Sequence, residues 1–283
     1  MNLPEFSEHI PQAIALDLDG TALDSSSRMS PRTSAAVIKL LNMGLPVVIA
    51  TARPERVIHV LTGSEIANRA SLVHLSGAAA LGREPLAGSY NWGIDPAEAR
   101  RCWDIVSSSP LQSRMTVELD GRRFAVSHKS DANELWTFNT ATPDMIVSLD
   151  EALTSNPAKV SVNGIGNNLG PIVDELRSEL SSETLVVPAL HNSFINIHSR
   201  RATKSGAVAA LLDSKNISLS DVLSFGDDYP DVDLMLNTGW PVAVANAIRE
   251  VREAARFQTA SNDDDGVAQV LERLIAAHER YGG

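Results

Sequence analysis

The sequence predicts an α/β protein, with a doubly wound parallel-sheet core interrupted by an inserted α+β domain. Two observations carry the core: short apolar strands alternate with helical patterns at the start of the chain, and the same alternation returns near its end. A third carries the insertion, because the rhythm changes between about Gly82 and Leu190.

Ala13 to Leu18 reads as a buried strand running into an acidic turn, Asp17-Leu18-Asp19-Gly20-Thr21, whose glycine permits a sharp bend. Ser30-Pro31 signals a helix start, with Val37, Leu40 and Leu41 on one side and Gly44 just past the end. The strand Val47 to Ala50 follows and leads into Thr51-Ala52-Arg53-Pro54, then into a helical pattern that runs through Leu61 and ends near Gly63. Toward the C-terminus the expected elements are a strand at Val222 to Phe225, a helix around Val232 to Leu236, a strand at Val242 to Val244 and an amphipathic helix from Gly266 to His278. The acidic run Asp263 to Asp265 reads as the solvated start of that helix, favoured by its dipole.

Within the insertion, Met115 to Leu119 and Arg123 to Ser127 flank the turn residues Asp120-Gly121, which predicts a hairpin. Asp95-Pro96 followed by Glu98 opens a helix with a reciprocal capping pattern, and Asn168 to Leu180 supplies another. The domain reading is core from 1 to 82, inserted α+β domain from 83 to 190, and core again from 191 to 283.

Composition narrows the function classes. A chain of 283 residues with 43% hydrophobic and 21% charged residues is globular, and its net charge of −11 argues against a nucleic-acid footprint, which needs clustered Lys and Arg. Apolar runs such as Leu45 to Ala50 fall far short of the roughly 20 residues a membrane span requires. Cys102, the single cysteine, cannot form an internal disulfide, and Met1 to Gln12 shows no basic end or apolar stretch of a secretory signal, so a cytoplasmic location is expected.

The pattern D-x-D-G-T has four fixed letters, each at roughly 5–7% frequency, and recurs by chance about once in 10⁵ positions. Here it stands at the end of the first expected strand, where open α/β sheets bind ligands. Three further segments share a position after a strand or at a helix start: Thr51-Ala52-Arg53, Lys204 in Thr203-Lys204-Ser205-Gly206, and Gly226-Asp227 through Asp231. Taken singly, Thr51 reads as a helix cap, Lys204 as an exposed lysine and Asp227-Asp228 as a polar loop. Their common placement argues for one site.

With these segments the chain resembles the haloacid dehalogenase-like superfamily, in its Cof-type branch with a Rossmann-like core and a large cap domain inserted between the second and third motifs. The resemblance spans nearly the whole length and includes Ser76-Gly77-Ala78, Asn246-Ala247 and the tail Asp265-Gly266-Val267-Ala268. It implies a phosphatase acting on small phosphorylated metabolites such as sugar phosphates. In that scheme Asp17 attacks phosphorus and forms an aspartyl-phosphate, and Asp19 serves as general acid and base. Thr51 and Lys204 hold the phosphate, and Arg53 reaches substrate or cap. Mg²⁺ is the implied cofactor, bound by Asp17, the backbone carbonyl of Asp19 and Asp227, with Asp231 in support.

The chain departs from the family pattern at Ala52, where Gly is usual, at Ser76, where Asn is usual, and at Pro230, where Asn precedes the last acid. Proline removes an amide and a backbone N–H, so the loop carrying Asp231 needs a different anchor. A phosphosugar mutase and a non-catalytic sensor of phosphorylated ligands are the alternative expectations, whereas a receiver domain fails because Asp227 and Asp231 follow Lys204. In the insertion, Trp92, Trp103, Trp136, His128 and Asn163 are candidates for a sugar pocket, with core packing the commoner fate of such aromatics.

Overall fold

The computed structural model describes residues 2–7, 9–128 and 140–281. Trp136 lies outside them. The chain divides into two compact units, the first comprising 1–53, 58–90 and 203–283, and the second 54–57 and 91–202.

The first unit begins with β1 (Ala13–Leu16), α1 (Pro31–Asn42) and β2 (Val47–Ala50). Ser30 caps α1 as expected, its side chain accepting from the Thr33 N–H, and Pro31 occupies the first turn where no N–H is needed. After β2 the helical pattern ends at Gly63 as expected, in α2 (Ile58–Thr62), and Gly63, at φ +80, then caps a second short helix, α3 (Ser64–Arg69). Next come β3 (Ser71–His74), β4 (Ala79–Leu81) and β5 (Ser89–Asn91).

The second unit contains α4 (Pro96–Ser108), β6 (Ser113–Glu118), β7 (Phe124–Val126), α5 (Leu149–Thr154), β8 (Lys159–Gly164), α6 (Gly170–Glu179), β9 (Thr184–Ala189) and β10 (Phe194–Ser199). Its antiparallel sheet has the order β7-β6-β8-β10-β9, and the expected hairpin is the β6–β7 pair. Asp95 caps α4 through the Ala97 N–H, but the reciprocal half of the cap is absent. Glu98 instead accepts from the backbone of Ser181. One face of this sheet, with Met115, Val117, Val160 and Val162, forms a core with Cys102 and Ile105 of α4, and burial pushes the Cys102 thiol up to about 12.

The chain returns to the first unit with α7 (Lys204–Leu212), β11 (Val222–Gly226), α8 (Val232–Asn237), β12 (Trp240–Ala243), α9 (Arg249–Ala254), β13 (Phe257–Gln258) and α10 (Gly266–Tyr281). The acids before α10 are not merely solvated: Asp263 accepts from Ser25 and Asp265 from Ser30, tying the helix start to the loop before α1. The eight-stranded sheet runs β13-β12-β11-β1-β2-β3-β4-β5, parallel from β13 to β3, with β4 antiparallel to β3. The chain winds outward from β1 through β2 and β3 on one side and through β11, β12 and β13 on the other. The reversal falls between β1 and β11, the place where such sheets form a crevice beyond their strand ends.

Candidate active site

The β1 strand is buried throughout, so its next residue, Asp17, is delivered at the carboxyl edge of the sheet and is only 5% exposed. The register pairs Leu16 with Phe225 of β11, which brings Asp227 to the same edge two residues later. Residues Leu18–Ala22 form one wide turn in which Gly20 takes φ +74. A Cβ at Gly20 would stand 2.3 Å from an Asp227 carboxylate oxygen, so the close approach of the two loops requires glycine there. Thr21 completes the junction by donating its hydroxyl proton to Asp227 Oδ1 at 2.8 Å.

Carboxylate oxygens of Asp17, Asp227 and Asp231 lie within 4.8 Å of one another. Lys204, the first residue of α7, is nearly fully buried against them, and its Nζ donates to Asp17 Oδ1 at 2.6 Å and Asp231 Oδ1 at 2.5 Å. Asp231 is anchored through its other oxygen, which accepts from the backbone N–H groups of Asp227 at 3.0 Å and Asp228 at 3.2 Å. These bonds, with Pro230 in the first turn of a short helix capped by Asp228, replace the anchor expected from an asparagine.

The electrostatics follow from burial and crowding. Burial, then the neighbouring Asp231 charge, holds the Asp17 carboxyl well above the usual range despite the opposing pull of Lys204. Burial also pushes Asp227 up to about 6, against the Thr21 hydrogen bond, with Asp231 and Asp228 adding to the rise. For Lys204, burial works against the charge, but the Asp17 and Asp231 carboxylates outweigh it and keep the ammonium above its ordinary value. Three converging carboxylates therefore face a single buried cation. An all-oxygen donor set with excess negative charge fits a hard divalent ion, which would relieve the repulsion that raises Asp17 and Asp227.

Thr51 follows β2 at the same edge, buried, with its hydroxyl accepting from the Arg53 N–H at 3.1 Å. The carboxylate of Asp19 is not part of the acid cluster. It is gripped by Arg53, whose Nε and Nη2 donate to its two oxygens at 2.9 and 2.8 Å. Leu75, Ser76 and Gly77 run through three successive left-handed conformations, and the N–H groups of Leu75 and Ser76 bond the carbonyls of Arg53 and Thr51. This loop thus locks the Thr51 segment from behind.

The sequence reading assigned no role to Thr21, Asp233 or Asn246. Asp233 accepts from the Ser205 N–H in the first turn of α7, and Asn246 donates to the Gly20 carbonyl at 2.7 Å. Thr21 and Asn246 stood in recognised motifs, whereas nothing local marked Asp233. Of the sugar-pocket candidates, His128 and Asn163 line a cavity in the second unit, Trp103 packs against that unit's core, and Trp92 is half-buried.

The model of the haloacid dehalogenase-like hydrolase family matches residues 14–271, and the chain belongs to this family, in its Cof-type branch. A Haemophilus influenzae relative is 29% identical over 269 residues, covering 92% of this chain and 97% of its own. A Bacillus subtilis relative, 25% identical over 272 residues and covering 94% and 98%, is a 5-amino-6-(5-phospho-D-ribitylamino)uracil phosphatase. The crystal structure of a haloacid dehalogenase-like hydrolase from Bacteroides thetaiotaomicron superposes with a TM-score of 0.78 at 24% identity, covering 93% of this chain and 99% of the other.

Proposed function

We propose that this hydrolase is a Mg²⁺-dependent phosphatase that cleaves small phosphate monoesters, sugar phosphates or related metabolites, through an aspartyl-phosphate on Asp17. The observation that carries the reading is the clustering of Asp17, Asp227 and Asp231 at the switch point of the sheet, with one buried lysine bonded to Asp17 and Asp231. Family membership and a phosphatase relative of nearly full length support it.

Asp17, Asp227 and the backbone carbonyl of Asp19 would hold Mg²⁺, which when bound offsets the repulsion between a carboxylate nucleophile and a phosphate dianion. Asp231 acts behind them, with its oxygens already engaged by Lys204 and two N–H groups. An Asp17 oxygen attacks phosphorus in line, and the P–O bond to the alcohol breaks as the acyl phosphate forms. Protonated Asp19 gives its proton to the leaving alkoxide. It then takes one from the water that attacks the acyl phosphate, which regenerates Asp17 and releases inorganic phosphate. Thr51 and Lys204 hold the phosphoryl oxygens through hydroxyl and ammonium donors, and Arg53, which pairs with both oxygens of the ionised Asp19 in the free protein, turns to substrate or cap as Asp19 takes up its proton.

Hydrolysis of an aryl phosphate by the purified protein tests this reading. Phosphate release that requires Mg²⁺, stops with EDTA and is lost in Asp17→Asn is the expected result. Turnover unaffected by either change contradicts it, and conversion of a hexose 1-phosphate to the 6-phosphate without free phosphate assigns a mutase instead.

A further inference from the structure

The Lys204 ammonium meets two carboxylates at once, at 2.6 Å from Asp17 and 2.5 Å from Asp231, on a side chain only 2% exposed. A lysine carries its charge on a flexible four-carbon stem, so this placement depends on how firmly the backbone beneath it is held. That backbone is the first turn of α7, and the helix by itself holds it weakly. Its first residue is the lysine, which sets a cation at the positive end of the helix dipole, and the turn contains no acid of its own.

Thr203 satisfies two of the first N–H groups: Gly206 donates to its hydroxyl at 3.0 Å and Ala207 to its carbonyl at 3.1 Å. The N–H of Ser205, the residue after the lysine, goes elsewhere. It donates at 3.0 Å to Oδ2 of Asp233 in α8, 28 positions on in the chain. Oδ1 of Asp233 accepts from the Asn237 amide at 3.2 Å, and that amide also donates to the Asp233 carbonyl at 2.7 Å. The carboxylate is thus fixed from its own helix and presented to the start of another, where it brings the negative charge that α7 lacks.

The other neighbour of Lys204 is confined as well, because a Cβ at Gly77 would stand 2.4 Å from the Thr203 carbonyl. The chain is therefore held on both sides of the lysine. Asp231 and Asp233 lie two residues apart, so one short stretch of chain sets both a carboxylate that Lys204 meets and the backbone from which Lys204 reaches it.

We propose that Asp233 is a positioning residue of the active site: by holding the Ser205 N–H, it sets the Lys204 ammonium between Asp17 and Asp231. Its effect on turnover rests on the phosphatase reading, and its effect on the lysine does not.

Two readouts on the full chain test this. One is hydrolysis of an aryl phosphate at saturating Mg²⁺, at a temperature where circular dichroism shows each variant folded. The other is the NMR signal of the Lys204 ammonium in the metal-free protein, assigned by its loss in Lys204→Met. Buried and bonded to two carboxylates, that group should exchange its protons slowly. Asp233→Ala is expected to lower kcat about tenfold, the order of one weakened charged hydrogen bond, and to speed the exchange by a similar factor. Asp233→Asn keeps an acceptor oxygen and should restore most of both. Asn237→Ala, at an exposed position, should leave the fold intact and lower kcat about twofold to threefold.

A folded Asp233→Ala protein with parental kcat and parental exchange overturns the proposal and leaves Asp233 only a cap of α7. An Asn variant no better than the Ala variant, or an ammonium that exchanges fast in the parent, does the same. Should Asp233→Ala not fold, parental kcat and exchange in Asn237→Ala overturn it. A parent protein that hydrolyses no phosphate ester removes the phosphatase reading, and the ammonium signal then decides the role of Asp233 alone.

Discussion

Lys204 and Lys159 show how differently one residue type behaves when buried. Lys204 is held charged by Asp17 and Asp231, while Lys159 has only the Glu118 charge, already shared with Arg56, to set against desolvation. With its ammonium depressed to about 8 from the usual 10.5, the unfolded chain binds that proton more tightly than the folded one. Stability from this side chain is therefore complete above about pH 10.5, is lost as pH falls toward 8, and stays at a constant deficit below. That deficit is about 3 kcal/mol. Lys159→Met is accordingly expected to be more stable than the parent at pH 7, with the gap closing as pH rises through this window. Denaturant midpoints of both proteins at pH 7 and pH 10 check this, and a gap of equal size at both pH values contradicts it.

Elements matter here through their ends. β1, β2 and β11 are short, fully buried strands whose final residues hand the chain to Asp17, Thr51 and Asp227. The loop after β3 does the same for α7. Gly77 adopts φ +93, and a Cβ there would stand 2.4 Å from the Thr203 carbonyl, at the cap that starts α7 with Lys204. Gly77→Ala must strain its own backbone and push the α7 cap away, at a cost of about 2–4 kcal/mol. It should also lower kcat, because Lys204 moves with the cap. Urea denaturation and steady-state kinetics on the variant check both effects, and a variant with unchanged stability and kcat would show that the α7 cap tolerates the displacement.

At the scale of the whole molecule, the acid cluster joins segments far apart in sequence, so a ligand that relieves its repulsion stabilises the first unit as a unit. Mg²⁺ at a hundredfold excess over its Kd should add about 2.7 kcal/mol to stability. The expected observation is an upward shift in Tm with Mg²⁺ that Asp227→Asn abolishes. A shift of the same size in that variant would place the ion elsewhere.

Legibility in the sequence followed the range of the interactions. Strand and helix periods, the Ser30 and Asp95 caps, the β6–β7 hairpin and the motif ending β1 depend on neighbours within a few residues, and each was readable without coordinates. The family resemblance added the ordered set Asp17, Thr51, Lys204 and Asp227. Local signals failed where a competing partner came from a distance. Glu98 left its own helix cap for Ser181, and the Asp263 and Asp265 carboxylates turned to Ser25 and Ser30.

The sequence by itself determined the alternation of elements, the chemistry available at each strand end and the class of reaction those residues suit. Only the tertiary structure decided that Lys204 is buried between two carboxylates, that Arg53 holds Asp19, and that Lys159 is buried next to Glu118 with no ion pair among the described residues. The reason is that periodicity and capping are set along the chain, whereas which charges meet depends on strand order and register, and those are fixed by hydrogen bonds between segments up to some two hundred residues apart.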